Sequence, residues 1–377
     1  MLSHHLNGAE NSRNYGIDLL RIVAMIMIPI MHVLGHGGVR DATAPLSMRY
    51  GLAWLLDIAC FCAVNVYALI SGYVGYGRKH KYANLINLSI QVAFYTVLTT
   101  VTVKFVMPDT VSWKEVLKAF LPGPLGTYWY FTAYMCLFFF MPFQSCLDRL
   151  DRSTMRKLLF TMALVFSVLP TLFLRDMSGT LSGYSFLWLA VMYLIGAYIK
   201  KYNVADAFQK KTCILGYLLC VAVTWLSKFG METLSNHFFS EPKWGGYLLA
   251  YTSPTIVLSA LFLLLLFAKL SLPPITVKVV AFFAPVSFDV YLLHEEPQIR
   301  ELFINGRFQR LADLHPIVMI LSVIGIAICI WLIGSVIGRI RMVIFKMFRI
   351  KQLSEWLERK GRCVLKRLSK VILPEQF

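Results

Sequence analysis

The chain has 377 residues, 58% of them apolar and 15% charged, with a formal net charge of +17 at pH 7. So little charge over that length excludes an ordinary soluble globular domain. Ten apolar blocks follow in chain order, at residues 17–36, 51–76, 83–106, 127–146, 157–174, 185–199, 212–229, 247–268, 277–294 and 316–338. Most are long enough to span a bilayer as helix. They are continuous runs without the alternation of barrel strands. The expected fold is therefore an all-α integral membrane protein with about ten transmembrane helices. The loops leave no room for a soluble domain. The expected divisions are an N-terminal segment at 1–16, a membrane domain at 17–338 and a tail at 339–377. The first sixteen residues are polar and the next block is long enough to be a span, which argues against a cleavable signal peptide.

The basic excess invites a nucleic-acid reading, but its distribution points to a bilayer. With the N-terminus in the cytoplasm, the inside loops hold Arg78, Lys79 and Lys81, then Arg149, Arg152, Arg156 and Lys157, then Lys200, Lys201, Lys210 and Lys211. Of the 37 Lys and Arg, 25 then lie inside, 11 outside, and Arg21 within a span. That asymmetry is the positive-inside pattern for ten spans with both termini cytoplasmic. The expected partner is the lipid bilayer, not nucleic acid.

From Arg339 onward the tail has eleven Lys and Arg and three Glu. Its apolar residues recur at helical spacing, so it reads as a basic amphipathic helix on the anionic cytoplasmic leaflet. A topology anchor is the simpler role for it, beside a specific partner site. The eight Cys lack zinc-ligand spacing with supporting His, so no metal site is expected.

Two costly residues sit in the first block, Arg21 and His32. An Arg at the centre of a membrane helix costs at least about 2.5–3.5 kcal/mol on the insertion scale, so such residues are functional candidates. Eleven residues of helix turn through about 1100°, three turns plus about 20°. Both side chains therefore share one face, about 16 Å apart along the axis. Asp18, three residues before Arg21, can pair with it. Pro29 frees the carbonyl of Met25 and can kink the helix beside His32. His36, one turn further on, reads either as an exit for a proton or as an outer-interface residue.

The sequence Asn14-Tyr-Gly-Ile-Asp-Leu-Leu-Arg-Ile-Val-Ala24, followed by Met-Ile-Met-Ile-Pro-Ile-Met-His32, resembles the first span of the bacterial membrane acyltransferase-3 family. Those proteins O-acylate cell-surface carbohydrates, and their hallmark is Arg, ten residues, then His. Three further stretches resemble the same family, in its order. They are Asn65-Val-Tyr-Ala-Leu-Ile-Ser-Gly-Tyr73, Trp129-Tyr-Phe-Thr-Ala-Tyr134 with Pro142, and Ser287-Phe-Asp-Val-Tyr-Leu-Leu-His294 continuing to Arg300. The resemblance covers about residues 14–338. The soluble hydrolase-like domain that many members carry is not in this sequence.

The resemblance implies an acyl-coenzyme A donor, most simply acetyl-coenzyme A, used as substrate with no bound cofactor. It implies a glycan or glycolipid acceptor, the bacterial cytoplasmic membrane, and envelope polysaccharide assembly proteins as candidate partners. Transfer from a thioester to a hydroxyl needs a base for the hydroxyl and an acid for the leaving thiolate. A neutral imidazole supplies both, and His32 is the expected base. Arg21, about a turn inside the cytoplasmic edge, suits donor phosphate recognition, with a snorkelling topology role as its structural alternative. Asp18, Asn65, Ser71, Tyr73 and Trp129 are expected on the donor or supporting side. Ser71 reads as a covalent nucleophile or as a side chain bonding its i−4 carbonyl. Tyr291, His294 and Glu295 form an acceptor-side group, with an interfacial polar cap as the alternative. Arg300, Arg307 and Arg310 read mostly as a solvated face.

A carrier or lipid-glycan flippase is the competing class, because intramembrane charges also mark substrate paths. Two related halves with paired broken helices would favour it, and the sequence lacks that symmetry.

Overall fold

The computed structural model describes residues 13–143 and 149–372. Among them all regular structure is helical. The principal helices are α1 (Tyr15–Leu34), α2 (Met48–Phe61), α3 (Ala63–Gly75), α4 (Tyr82–Val106), α5 (Trp129–Phe140), α6 (Arg152–Ala163), α7 (Phe186–Lys201), α8 (Lys210–Phe239), α9 (Pro254–Ala268), α10 (Pro274–Phe283), α11 (Ser287–His294), α12 (Pro316–Met347) and α13 (Ile350–Ile372).

Among the described residues, seven helical stretches are long and apolar enough to cross a membrane: Tyr15–Leu34, Met48–Gly75, Tyr82–Val106, Arg152–Phe173, Lys210–Phe239, Pro274–His294 and Pro316–Met347. Trp129–Phe143 and Pro254–Ala268 are shorter apolar helices. The block expected at 185–199 becomes α7, sixteen residues long. Every apolar block thus contains a helix, and seven meet the length of a span. Residues 1–12 of the expected N-terminal segment, and Cys146, lie outside the described residues. The described cysteines are all free thiols.

Three boundaries differ from the sequence expectation. The block at 247–268 is helical only from Pro254, because Ser253-Pro254 opens α9 with proline in its first turn. The residues before it form turns that present Tyr251. The block expected to end at 229 continues to Phe239. Lys228 and Glu232 interrupt the apolar run but pair at 2.5 Å one helical turn apart, so the charges do not end the helix. The basic amphipathic helix begins at Ile350, not at 339, because α12 runs on to Met347. Arg341 pairs with Asp289 inside the bundle, and Arg339 lies 4.0 Å over the Phe282 ring. The break comes at Arg349, whose φ of 52° ends the helical path.

α1 is the hub. It packs against α2, α3, α9, α10, α11 and α12. A helix apolar on nearly every side belongs inside a bundle, and Ile17, Leu20, Ala24, Met25, Val33 and Leu34 are all buried. Asn14 fixes its start. Oδ1 accepts from the Ile17 amide at 3.1 Å, and Nδ2 donates to the Ala268 carbonyl at 3.0 Å.

α3 and α7 meet backbone to backbone. A methyl added at Gly72 would lie 1.8 Å from the Tyr193 carbonyl oxygen, and one at Gly196 would lie 2.1 Å from the Leu69 carbonyl. Small residues allow this close approach in membrane bundles. The Ser71-Gly72 pair owes its glycine to that contact. Gly72→Ala should lower the unfolding temperature in detergent, at a cost of about 1–3 kcal/mol, because backbone must move. An unchanged melting curve would contradict this packing.

The Pro274–His294 span is interrupted. Pro285 lacks an amide N–H, and Ala284–Val286 tightens into a 3₁₀ turn between α10 and α11. Below the break, Asp289 is fully buried. It accepts from Gln91 Nε2 and Tyr95 Oη at 2.8 Å each, and from Arg341 Nε at 2.8 Å and Nη2 at 2.6 Å. This network binds α11 to α4 and α12.

Candidate active site

His32 stands in the last turn of α1, and His294 in the last turn of α11. Packing of α11 on α1 brings His32 Nδ1 to 3.0 Å from His294 Nε2. His294 Nδ1 in turn lies 2.5 Å from the Val290 carbonyl oxygen. A carbonyl only accepts, so His294 Nδ1 carries the proton. With both rings neutral, His294 Nε2 is then the acceptor and His32 Nδ1 donates to it. This leaves the lone pair of His32 Nε2 without a partner in the pair. The backbone of α11 thus selects the tautomer of a ring on α1.

Glu295 caps α11, and its Oε1 lies 3.4 Å from His32 Nδ1 and 3.7 Å from His36 Nε2. Oε1 is buried without a hydrogen-bond partner among the described residues. Oε2 accepts from Arg300 Nη1 at 3.2 Å. Arg300 is carried on the short helix Pro297–Phe303, whose first amides are capped by Glu296. Burial pushes the Glu295 carboxyl up to about 7, against the opposing pull of Arg300. Burial also lowers the His36 imidazole, helped by the charges of Arg300 and Arg40. His32, His36 and Glu295 place potential ligand atoms within 4.8 Å of one another, a grouping able to hold a metal ion. Sequence reading expected no metal ligands.

The relay opens on a cavity of about 220 Å³ walled largely by aromatic rings, among them Tyr67, Trp129, Tyr130, Tyr184, Tyr251 and Tyr291. A second cavity of about 310 Å³ lies along the same face of α1 and is lined by Arg21, Ser71, Gln91 and Tyr134. The rings of Tyr67, Tyr130 and Phe288 line both cavities and form a septum between them. Tyr67 Oη is held by donating to the Arg21 carbonyl at 2.8 Å. A third cavity of about 280 Å³ shares Arg21, Ser71 and Tyr134 and reaches Arg78, Lys79 and Lys81. One face of α1 therefore carries a row of cavities from the basic end of the bundle to His32.

A family model of the acyltransferase domain matches residues 14–336. The chain belongs to the acyltransferase-3 family. It is a multi-pass membrane acyltransferase. No curated protein and no solved structure matches it.

Within this acyltransferase-3 chain the residues expected from sequence fall into three places. His32, His294, Glu295, Tyr291 and Trp129 meet at the first cavity. Arg21 and Ser71 line the second and third. Asp18 holds Arg21 at 2.8 Å and Arg13 at 2.5 Å, just below them. Ser71 Oγ donates to the Tyr67 carbonyl at 2.9 Å, the i−4 bond of its structural reading.

Asn65 and Tyr73 stand apart from the cavities. Asn65 Nδ2 donates to the Tyr251 carbonyl at 2.7 Å, and its Oδ1 accepts from Trp188 Nε1 at 2.8 Å. It therefore supports the cavity wall from behind. Tyr73 lies under Lys200 Nζ at 5.2 Å.

Sequence reading undervalued Arg300 and His36, both of which line the first cavity, and passed over Tyr67, Tyr184 and Tyr251. Tyr67 has one sequence signal, its place one helical turn before Ser71.

Proposed function

We propose that this acyltransferase moves an acyl group, most simply acetyl, from acyl-coenzyme A to a hydroxyl of a cell-envelope polysaccharide or its lipid-linked precursor. His32 is the general base. The observation that carries this reading is the Val290–His294–His32 relay, which leaves Nε2 unprotonated on a His32 ring that lines an aromatic cavity. The positive-inside pattern supports ten crossings with both termini in the cytoplasm of a bacterial cell. The donor then enters at the basic end, and the acceptor approaches from the side of His36 and Arg300.

His32 Nε2 takes the acceptor hydroxyl proton as that oxygen attacks the thioester carbonyl. The C–O bond forms and the carbonyl becomes a tetrahedral oxyanion. Collapse breaks the C–S bond, and the thiolate leaves with the proton from His32. While His32 is an imidazolium, the Glu295 carboxylate facing Nδ1 stabilises it. Stacked rings such as Trp129 and Tyr251, with centroids 6.3 Å apart, suit the flat faces of a sugar. Envelope assembly proteins are fitting partners, because they would deliver the acceptor.

Protein purified into nanodiscs should release thiol from acetyl-coenzyme A, which a carrier does not do. An O-acetyl NMR signal should be missing from the surface polysaccharide of a deletion strain. Retention of that signal, or absence of thiol release, would overturn the reading.

The rate should climb with pH through about 7, because Glu295 supports His32 only when ionised, and its carboxyl titrates there. Glu295→Gln should flatten that limb and slow transfer by about 10-fold, because the imidazolium loses the carboxylate charge 3.4 Å from Nδ1. A variant that keeps the wild-type pH profile would remove Glu295 from this role.

A further inference from the structure

The family match ends at residue 336, and α13 lies wholly beyond it. A cavity of about 1020 Å³ opens between α13 and the segment that joins α3 to α4. Arg78, Lys79 and Lys81 form one wall, and Lys351, Arg359 and Arg362 of α13 form the other. The α13 residues that line it recur every three to four positions, so one stripe of the helix faces the cavity. The opposite stripe, with Leu353, Trp356, Leu357 and Val364, is exposed.

Glu358 locks the two walls together. It accepts from the Tyr82 and Ala83 amides at 3.2 Å each, capping α4, and pairs with Arg362 at 2.6 Å. That leaves Arg78, Lys79, Lys81, Lys351 and Arg359 around one void without an ion pair among the described residues, and the cavity's other carboxylate, Glu355, offsets only one of these five charges. Like charges gathered this way repel one another and focus a field that favours a polyanion. Arg78, Lys79, Lys81 and Asn84 also line the neighbouring cavity that holds Arg21 and Ser71. The basic void is thus the first in the row that leads to His32.

We propose that α13 completes a phosphate-binding vestibule that holds the nucleotide phosphates of the acyl-coenzyme A donor. The proposal rests on the donor reading above. Arg359 and Arg78 offer forked donors from opposite walls, and Lys351, Lys79 and Lys81 add point charges. With its phosphates held there, the donor's thiol arm extends past Arg21 and Ser71 toward the septum. The apolar stripe of α13 faces away from the vestibule. The bilayer therefore meets the apolar stripe, and the basic stripe is kept for the ligand.

The test uses the full chain in nanodiscs and adenosine 3′,5′-bisphosphate, a probe with donor-like phosphates and no thioester. Wild type should bind it. Lys351→Glu with Arg359→Glu should weaken binding at least tenfold and raise the KM for acetyl-coenzyme A in proportion, with kcat within about twofold. The neutral pair Lys351→Gln with Arg359→Gln should fall between, which separates charge from misfolding. Nanodiscs made only of zwitterionic lipid should give the same differences. Unchanged probe affinity and KM in the charge-reversed chain would overturn the vestibule while leaving the donor reading intact. A defect seen only with anionic lipid would assign the stripe to headgroups and also overturn it. Probe binding without any thiol release would instead remove the donor reading.

Discussion

His32→Ala should lower acyl transfer by at least about 10³-fold while the protein stays in the membrane at wild-type amount. Positioned general acid–base groups contribute about 10²–10⁴-fold, and in the proposed mechanism one ring serves both halves of the reaction. Among the described residues the fold gives no substitute at its position. His294 Nε2 is directed at His32, and His36 lies with its ring 5.0 Å from that of His32, nearer the end of the bundle. Thiol release from acetyl-coenzyme A, normalised to the amount of protein in nanodiscs, measures the loss. Activity within tenfold of wild type would refute the assignment of His32 as base.

Asp289→Ala should destabilise the bundle by about 3–5 kcal/mol, the cost of leaving one partner of a buried ion pair uncompensated. Arg341 is only 7% exposed, and Asp289 accepts two of its N–H groups. Gln91 and Tyr95 would lose their acceptor in the same step. Thermal unfolding in detergent reads the effect. Replacing both partners, Asp289→Leu with Arg341→Met, should recover part of the loss, because no unpaired charge remains. A single variant as stable as wild type would show that the network carries no stability.

The cavity-lining residues that stood out most in the sequence are those whose chemistry conflicts with their surroundings. Arg21 and His32 were legible because an ionisable group in an apolar block is costly, and because helical spacing fixes a shared face. His294 and Glu295 were legible as a polar group closing an apolar block. Their meeting with His32 was not, since it depends on how α11 packs on α1, across 262 residues of chain.

The buried pairs Asp57 with Arg40 and Asp289 with Arg341 went unread for a related reason. Asp57 and Asp289 each look isolated in an apolar block and are neutralised only by an Arg that lies outside that block. Arg300 was read as solvated because an outer loop is its ordinary setting, whereas its partner is the buried Glu295. The ends of α8 and α12 were misjudged where a charge was taken as a stop. A charge ends an apolar block in sequence but does not end a helix when a partner stands within reach.

The septum of Tyr67, Tyr130 and Phe288 bears on ion tightness. A row of cavities through a bilayer would let protons run down their gradient if water filled it without a break. Three aromatic rings line both the second cavity and the one that His32 borders, so in the proposed mechanism they would interrupt that water column beside the proton-exchanging group. In the proposed transfer the acyl group has to pass these same rings. In that mechanism, energy conservation and acyl passage would depend on the same three side chains.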